Sequence, residues 1–411
     1  MFLKTITFAG AFALLGSTAI AGCGISSGNV SILSNDFPAI QAVTSAAATC
    51  AGDGVTVETN LTKDHKDIMV AALTANPAQY SSVIVSNSTL VTLMNDGLVR
   101  PLDEMVTKHG AALSKSQLIT VNGKVMAVAF MANAQHLFSR TDVLEAAGVG
   151  TIPATYEDVL AAAEKIRAAG LMEYPVALNT KAGWNLAEEF VNMYMGTGAD
   201  FFKSGTAEAA VNNKNGVATL EMLKSLVAYS NPDYLTYDSN ATQAEWEAGN
   251  LALATMWGSR GSAVLDDEGS TAKVVSGTVL SAAPTWGNGA RPASTLWWDG
   301  IAISTNVSDE DAEATFVAMM NGISSDVVKA NNDAAVWLVD GYMPSPASAG
   351  VSGTAVGGAA PYPMLPFMGA LHTALGAEIT DFLQGSESAE QALADVEAAY
   401  TAAAKEQGFL N

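Results

Sequence analysis

Short apolar runs alternate with longer amphipathic stretches through the first hundred residues. The runs of alternating or β-branched residues predict strands, and the stretches between them have helical spacing. The predicted strands are Val30–Leu33, Gly54–Glu58 and Val83–Val85, and the predicted helices are Ile40–Cys50, Asp67–Ala75 and a third that ends at Gly97. Strands that alternate with helices of this length predict a parallel α/β sheet. Ligands of such sheets lie beyond the carboxyl ends of the strands, here Ser34–Phe37 and Ser86–Ser88.

The remainder of the chain continues this mixture of helix and strand. Asn122-Gly123 predicts a hairpin turn between extended segments, and Thr155 to Asp158 forms a capping box at the start of a helix that runs to Gly170. Ser308 caps a further helix. The segment 351–360 is rich in Gly and Ala, which predicts a loop. Other helices are predicted at Ala187–Met195, Gly216–Ser230, Gln243–Glu247 and, with a break at Gly385, Asp381–Gln407.

Residues 1–21 have the pattern of a secretory signal peptide. Lys4 precedes an apolar run of about ten residues, and Ala19-Ile-Ala21 has the small-x-small form of a cleavage site. The run is shorter than the ~20 residues needed to span a bilayer. An exported protein is therefore expected, with the periplasm as its compartment.

The two cysteines have two interpretations. Export places Cys23 and Cys50 in an oxidising compartment, where an even number of thiols favours a disulfide. The alternative is that Ile20 to Cys23 forms a lipobox, so that Cys23 carries a lipid anchor. A strand is predicted only a few residues after Cys23, which leaves little spacer and favours the disulfide.

Composition excludes several classes of function. The chain has 411 residues, 49% of them hydrophobic, and a net charge of −22. So large a negative charge argues against binding to nucleic acid or to an anionic membrane surface. The hydrophobic content is too high for a disordered chain and is enough for two buried cores.

Short catalytic motifs are missing from the sequence. It has no G-x-S-x-G, no P-loop and no H-E-x-x-H, and its four histidines are far apart. The adjacent acids Asp266-Asp267 and Glu188-Glu189 are interpreted as solvated faces. No enzyme activity, cofactor or metal site is expected, although glycosidase acids need no short motif.

Five segments in order resemble the bacterial extracellular solute-binding proteins of the sugar-binding group, which serve ABC importers. Each segment has the family's residue types at the family's spacing. They are 121–128 (VNGKVMAV), 137–148 (LFSRTDVLEAAG), 152–159 (IPATYEDV), 247–258 (EAGNLALATMWG) and 298–304 (WDGIAIS). In the second segment Ser139 stands where the family usually has Tyr.

The resemblance implies two α/β lobes, each a mostly parallel sheet flanked by helices, with a ligand cleft between them. The N-terminal lobe would comprise residues 24–130 and 285–340, and the C-terminal lobe residues 131–284 and 341–411. Two or three crossings would join the lobes. The protein would be a monomer that delivers a carbohydrate, a sugar or a polyol, to the permease subunits of an ABC transporter.

The candidate ligand-binding residues come from strand ends and from the predicted crossings. Sugar rings present apolar C–H faces that suit flat aromatic side chains, and their hydroxyl groups need polar partners at the edge. The candidates are Asn35, Asp36, His65, Asn87, Asn133, Trp184, Trp257, Arg260, Trp298 and Asp299.

Three alternatives remain open at this level. One is a sensor lobe for a chemoreceptor or a kinase, which would share the same cleft. A polyamine would want acids together with aromatic residues, and Asp36 with Asp299 would supply the acids. A secreted carbohydrate-active enzyme would share the sugar-binding chemistry but release a product.

Overall fold

The computed structural model describes residues 22–411, so the predicted signal peptide lies outside the described residues. Within that range, no helix combines the length and the apolar character needed to cross a bilayer. The twelve strands among residues 22–411 are β1 Gly28–Ser34, β2 Val55–Leu61, β3 Ser82–Ser86, β4 Leu118–Val121, β5 Lys124–Asn133, β6 Gln135–Arg140, β7 Val176–Ala177, β8 Leu253–Trp257, β9 Thr278–Ser281, β10 Thr295–Ile303, β11 Val336–Trp337 and β12 Ala360–Pro361.

Seventeen α-helices connect or flank these strands in the described range. They are α1 Pro38–Ala48, α2 His65–Thr74, α3 Asn87–Asn95, α4 Asp103–His109, α5 Thr141–Ala146, α6 Tyr156–Ala168, α7 Trp184–Gly196, α8 Lys214–Val227, α9 Ser239–Glu247, α10 Gly261–Leu265, α11 Ala272–Gly277, α12 Asp309–Gly322, α13 Ser325–Ala330, α14 Ala349–Val356, α15 Met368–Glu378, α16 Thr380–Leu383 and α17 Ala389–Glu406.

The strands form two sheets, and each sheet defines a lobe. The first lobe is the eight-stranded sheet β11-β5-β10-β3-β1-β2, with β4 paired to β5 and β12 to β10, and the helices packed on it. The second lobe is the four-stranded sheet β7-β8-β6-β9 with its helices, of which α15 packs on both α7 and α17. The prediction of a two-lobed α/β fold is confirmed.

The prediction that each sheet is mostly parallel is wrong, because both sheets are mixed. In the first lobe, β1 pairs in parallel with β2 and β3, but β10 runs antiparallel to both β3 and β5. In the second lobe, β6 is antiparallel to β8 and β9. The chain leaves the first lobe on β5 and returns to it on β10. Strand β10 runs against the strands β1, β2 and β3 of the βαβ units, whereas β5, antiparallel to β10, runs in the same direction as those strands.

The hairpin turn and the two helix caps predicted from short sequence motifs are present in the structure. Asn122 and Gly123 both have positive φ, at 51° and 76°, as a type I′ hairpin turn requires. Thr155 accepts a hydrogen bond from the Asp158 N–H, and Ser308 accepts one from the Asp311 N–H. These polar caps begin α6 and α12 where they were predicted.

The segment predicted as a loop at 351–360 is helical in its first part. Helix α14, Ala349–Val356, lies against β6 and β9. A Cβ atom built on Gly350 would collide with the ring of His136 on β6, so a residue without a side chain permits this close packing. Small residues therefore mark a tight helix contact here.

Cys23 and Cys50 form a disulfide, with their Cα atoms 5.3 Å apart. Cys50 lies just after α1 and is fully buried. The bond ties the start of the described chain to the first helix of the first lobe.

Candidate functional site

An aromatic cluster lies where the two lobes meet. Trp184 is the first residue of α7, and Trp257 is the last residue of β8. Their ring centroids are 6.4 Å apart, and the indole of Trp297, on β10, meets both edge-on at 5.7 and 5.8 Å. His372 of α15 stacks on Trp184 at 4.9 Å. The cluster thus joins a strand of the first lobe to three elements of the second.

The start of α7 holds Trp184 in place. Gly183 has a φ of 94° and a ψ of −135°, a conformation that side chains disfavour, and it turns the chain directly into the helix. The backbone carbonyl of Trp184 interacts with the Nε2 atom of His372, at 2.9 Å. Tyr362 contacts the other ring nitrogen of His372 at 3.0 Å, and its ring packs on Trp297 at 4.4 Å.

Glu188 lies one helical turn after Trp184 and faces the same cluster. Its side chain is fully buried, and one carboxyl oxygen accepts hydrogen bonds from Thr295 (2.7 Å) and from the Trp297 indole (3.1 Å). Burial raises the pKa of Glu188 to about 8, against the lowering effect of these two hydrogen bonds. Its other oxygen, Oε2, has no hydrogen-bond partner among residues 22–411.

The adjacent Glu189 is also buried, so the interpretation of this pair as a solvated face is wrong. Glu189 accepts a hydrogen bond from the Asn179 N–H at 3.0 Å, and burial raises its pKa to about 8. Helix α7 is central in the second lobe, and both of its flanks are covered. Two adjacent acidic residues of this helix can therefore both be buried. Their burial could not be predicted from the presence of two neighbouring charged residues in the sequence.

Lys66 reaches this cluster from the first lobe. It is the second residue of α2, and its ammonium lies 3.6 Å from the centroid of the Trp184 ring. Burial lowers the pKa of Lys66 to about 8, while the charges of Asp299 and Glu188 act to raise it. Burial likewise raises the pKa of Asp299 to about 7, opposed by the charge of Lys66.

The structure brings only some of the predicted site residues to the aromatic cluster. Trp184 and Trp257 belong to it, and Asp299 is linked to it through Lys66. Trp298 does not join it, since its side chain packs against an apolar cluster inside the first lobe. Neighbouring residues of a strand point to opposite faces, so Trp297 occupies the position expected of Trp298.

Asn87 and Asn133 fix the backbone near the crossings. Asn87 is buried, accepts a hydrogen bond from the Trp298 N–H at 3.0 Å and thereby attaches α3 to β10. Asn133 ends β5 and accepts the N–H of Ser259, at 3.2 Å, in the loop after β8. Both amides are engaged by protein groups.

The remaining four candidates are not members of the aromatic cluster. Asp36 is exposed and accepts a hydrogen bond from Gln41, while the Asn35 side chain accepts the Asp36 N–H. His65 is buried, and burial lowers its pKa to about 4. Arg260 donates to Gln243 at 3.2 Å, and burial lowers its pKa while the charge of Asp36, among others, raises it.

Sequence reasoning missed Lys66, Glu188, Trp297, Tyr362 and His372 as members of one cluster. A signal existed for Glu188, because residues four apart share one face of a helix and Trp184 was already a candidate. No comparable signal existed for His372, which comes from a helix far along the chain.

A separate surface cavity of about 870 Å³ lies at the other end of α7. Met195 borders it, about 16–17 Å along the helix from Trp184 at 1.5 Å per residue. Its apolar wall includes Phe202, Phe367 and Phe409. None of the predicted site residues lines this cavity. In the described range, no group of three His, Cys, Asp or Glu side chains is arranged to hold a metal.

Comparison with known proteins gives a consistent group of relatives. The model of a family described as bacterial extracellular solute-binding protein matches residues 34–325. A probable ABC transporter-binding protein of Deinococcus radiodurans is 26% identical over 208 residues, 49% of this chain and 49% of that protein. The match spans about half the length of this curated relative.

Solved structures share the fold over nearly the whole chain. Maltose-bound MalE3 of T. maritima has a TM-score of 0.79 at 16% identity and covers 91% of this chain and 99% of its own. A solute-binding protein of Agrobacterium radiobacter K84 in complex with ribitol has a TM-score of 0.78 at 19% identity, with 91% and 98% covered. The GacH receptor of Streptomyces glaucescens, solved unliganded and with acarbose, has a TM-score of 0.75 at 18% identity, with 94% and 100% covered. At these identities the similarity shows the fold alone.

Proposed function

Since the chain belongs to the bacterial extracellular solute-binding protein family, we propose that it captures a neutral sugar or polyol between its two lobes. It then delivers this solute to the permease of an ABC transporter. Relatives of the same fold were solved with maltose and with ribitol, which supports this class of ligand for the present chain.

The observation that carries the proposal is the aromatic cluster at the junction of the lobes. Trp184 and Trp257 are both half-buried, so part of each ring is accessible. A sugar ring can stack its C–H face on an indole while its hydroxyl groups bond to polar partners at the edge. Asp299, Lys66 and the unpartnered Oε2 of Glu188 are such partners.

The proposed binding residues divide between two walls. Trp184, Trp257 and Arg260 form the wall of the second lobe, joined by Glu188. Asn35, Asp36, His65 and Asn87 form the wall of the first lobe, joined by Lys66. Asn133, Trp298 and Asp299 lie near the crossings. There the side-chain amides of Asn87 and Asn133 hold the backbone, and the Trp298 side chain packs into the first lobe. The lobes would comprise 24–130 with 285–340, and 131–284 with 341–411, apart from β12, which pairs with β10 of the first lobe.

The proposed location is the periplasm, after removal of residues 1–21. The disulfide between Cys23 and Cys50 supports an oxidising compartment. It also disfavours the lipid anchor, because acylation would need the thiol of Cys23 that the disulfide uses. We expect a monomer whose partners are the sugar and the permease, and a net charge of −22 argues against nucleic acid.

A thermal-shift screen tests the proposal directly. Mono-, di- and oligosaccharides and polyols are compared, because a ligand at 100 times its Kd adds about 2.7 kcal/mol of stability. At least one should raise the melting temperature, and calorimetry should show that Trp257→Ala weakens its binding by about 2 kcal/mol or more. If no sugar or polyol binds, the proposal is wrong.

An enzyme remains the alternative from another class. Two carboxyl groups with raised pKa, Glu188 and Asp299, lie beside the aromatic cluster, which is chemistry that a glycosidase also uses. Incubation with oligosaccharides followed by product analysis separates the two. Recovery of the unchanged oligosaccharide supports capture, and accumulation of shorter products supports hydrolysis.

A further inference from the structure

One cation of the first lobe lies against the aromatic surface of the second. The ammonium of Lys66 is 3.6 Å from the centroid of the Trp184 ring. An ammonium group over the face of an indole is attracted by the ring's negative face, and Trp is the strongest such partner among the aromatic residues. Because Lys66 is on α2 and Trp184 on α7, this contact spans the two lobes.

Two carboxyl groups of the cluster act on the same position. The charges of Asp299 and Glu188 both act on Lys66. Glu188 is fully buried, and its Oε2 has no partner among the described residues. Beside Lys66, this corner combines indole faces and carboxyl groups, the combination that recognises a positively charged ligand, with the ring of His372 stacked on Trp184.

We propose that Lys66 determines which solutes the cleft admits, by filling the cation position over Trp184 and so excluding positively charged solutes. A cationic solute would have to place its charge beside the ammonium of Lys66, and like charges repel strongly where water is scarce. A sugar or polyol carries no charge, so it does not meet this repulsion. The flexible stem of Lys66 lets its ammonium turn from the indole and donate hydrogen bonds to hydroxyl groups.

This inference rests on the proposed function, because it assigns the choice between neutral and cationic solutes to one residue of the same cleft. It also predicts that removal of one charge converts the cleft into a cation site. The acids and aromatic rings would then remain, while the cation that occupies their centre would be gone.

The test measures binding of tetramethylammonium chloride by calorimetry at constant ionic strength. Lys66→Met keeps an apolar stem of similar length without the charge, and Lys66→Arg keeps the charge. Lys63→Met is the matched control, since Lys63 is an exposed lysine three residues earlier. Adding Trp184→Ala to Lys66→Met tests whether the indole holds the probe.

The expected result is that Lys66→Met binds tetramethylammonium at least tenfold more tightly than the wild type. Lys66→Arg and Lys63→Met should bind it as weakly as the wild type, and Trp184→Ala should abolish the gain. An unchanged affinity in Lys66→Met overturns the proposal, and so does an equal gain in Lys63→Met. If Lys66→Met melts before binding can be measured, Lys66→Gln is scored by the same criteria.

The two proposals fail in different ways. A wild-type protein that binds a sugar, together with a Lys66→Met variant that gains no cation binding, overturns only the role of Lys66. A wild-type protein that binds no sugar or polyol overturns the proposed function. The comparison of tetramethylammonium binding by Lys66→Met, Lys63→Met and the wild type then still decides the role of Lys66 by the same criteria.

Discussion

Replacement of Glu189 by Gln should remove a pH dependence from the stability of the protein. Glu189 is 1% exposed on α7, and burial raises its pKa from 4.5 to about 8. Below pH 4.5 the carboxyl is protonated in both the folded and the unfolded chain. As the pH rises from 4.5 to 8, the unfolded chain loses this proton while the folded chain keeps it, so the stability of the fold decreases.

The size of the effect follows from the two pKa values. One pKa unit corresponds to 1.36 kcal/mol, so a rise from 4.5 to about 8 amounts to about 4 to 5 kcal/mol at pH 8 and above. Gln cannot ionise, and it keeps an acceptor oxygen for the Asn179 N–H. Glu189→Gln should therefore resemble the wild type at pH 5 and be the more stable protein at pH 8.5, by up to that amount.

Urea denaturation at pH 5.0, 7.0 and 8.5 measures this difference. Burial lowers the pKa of His136 and of His372 to about 4. The stability that these two neutral side chains give the folded protein is therefore lost as the pH falls from 6.5 toward 4. That contribution is common to wild type and variant and cancels in the comparison. Glu145→Gln, at an exposed position on α5, is the control and should show no such gain. If wild type and Glu189→Gln lose stability in parallel from pH 5.0 to 8.5, the reasoning about this buried carboxyl is refuted.

Three further changes have defined outcomes. Replacing both cysteines of the disulfide with Ser should lower the free energy of unfolding by roughly 3–4 kcal/mol, since the bond joins residues 27 positions apart; equal urea midpoints would contradict this. Trp184→Ala should weaken binding of the best sugar from the screen by about 2 kcal/mol or more in calorimetry, and unchanged affinity would remove Trp184 from the site. Asn87→Ala should lower the free energy of unfolding by about 1–3 kcal/mol in urea denaturation, because the part-buried N–H of Trp298 loses its acceptor. A change within experimental error would contradict the role of Asn87 in attaching α3 to β10.

Much of the fold could be predicted from local patterns. The Asn122-Gly123 turn and the caps at Thr155 and Ser308 depend on a few adjacent residues, and each has the predicted geometry. The direction of β10 could not be predicted in this way. Its partner β3 lies more than two hundred residues earlier and its partner β5 roughly 170 residues earlier, so the antiparallel pairing depends on the path of the whole chain.

The candidate site was predictable only in part, for a related reason. Trp184 and Trp257 could be proposed because one begins a predicted helix where the resembled family often has an aromatic residue, and the other ends a strand of the resembled segment 247–258. Sequence spacing could not decide which of Trp297 and Trp298 faces the second lobe, because that depends on the register of β10 in its sheet. The burial of Glu188 depends on the helices that cover α7, which are distant in sequence.

Small-angle X-ray scattering of the purified protein, with and without the best ligand from the thermal-shift screen, tests the central claim most directly. A ligand that contacts both walls stabilises the closed arrangement by its differential contacts. The bends would lie near 129–133, 282–284 and 340–344, where Gly341 has a φ of 99°. The radius of gyration should decrease when the ligand is added at saturation. A ligand that binds at micromolar affinity or better and leaves the radius unchanged would contradict capture between two lobes and favour a site within one of them.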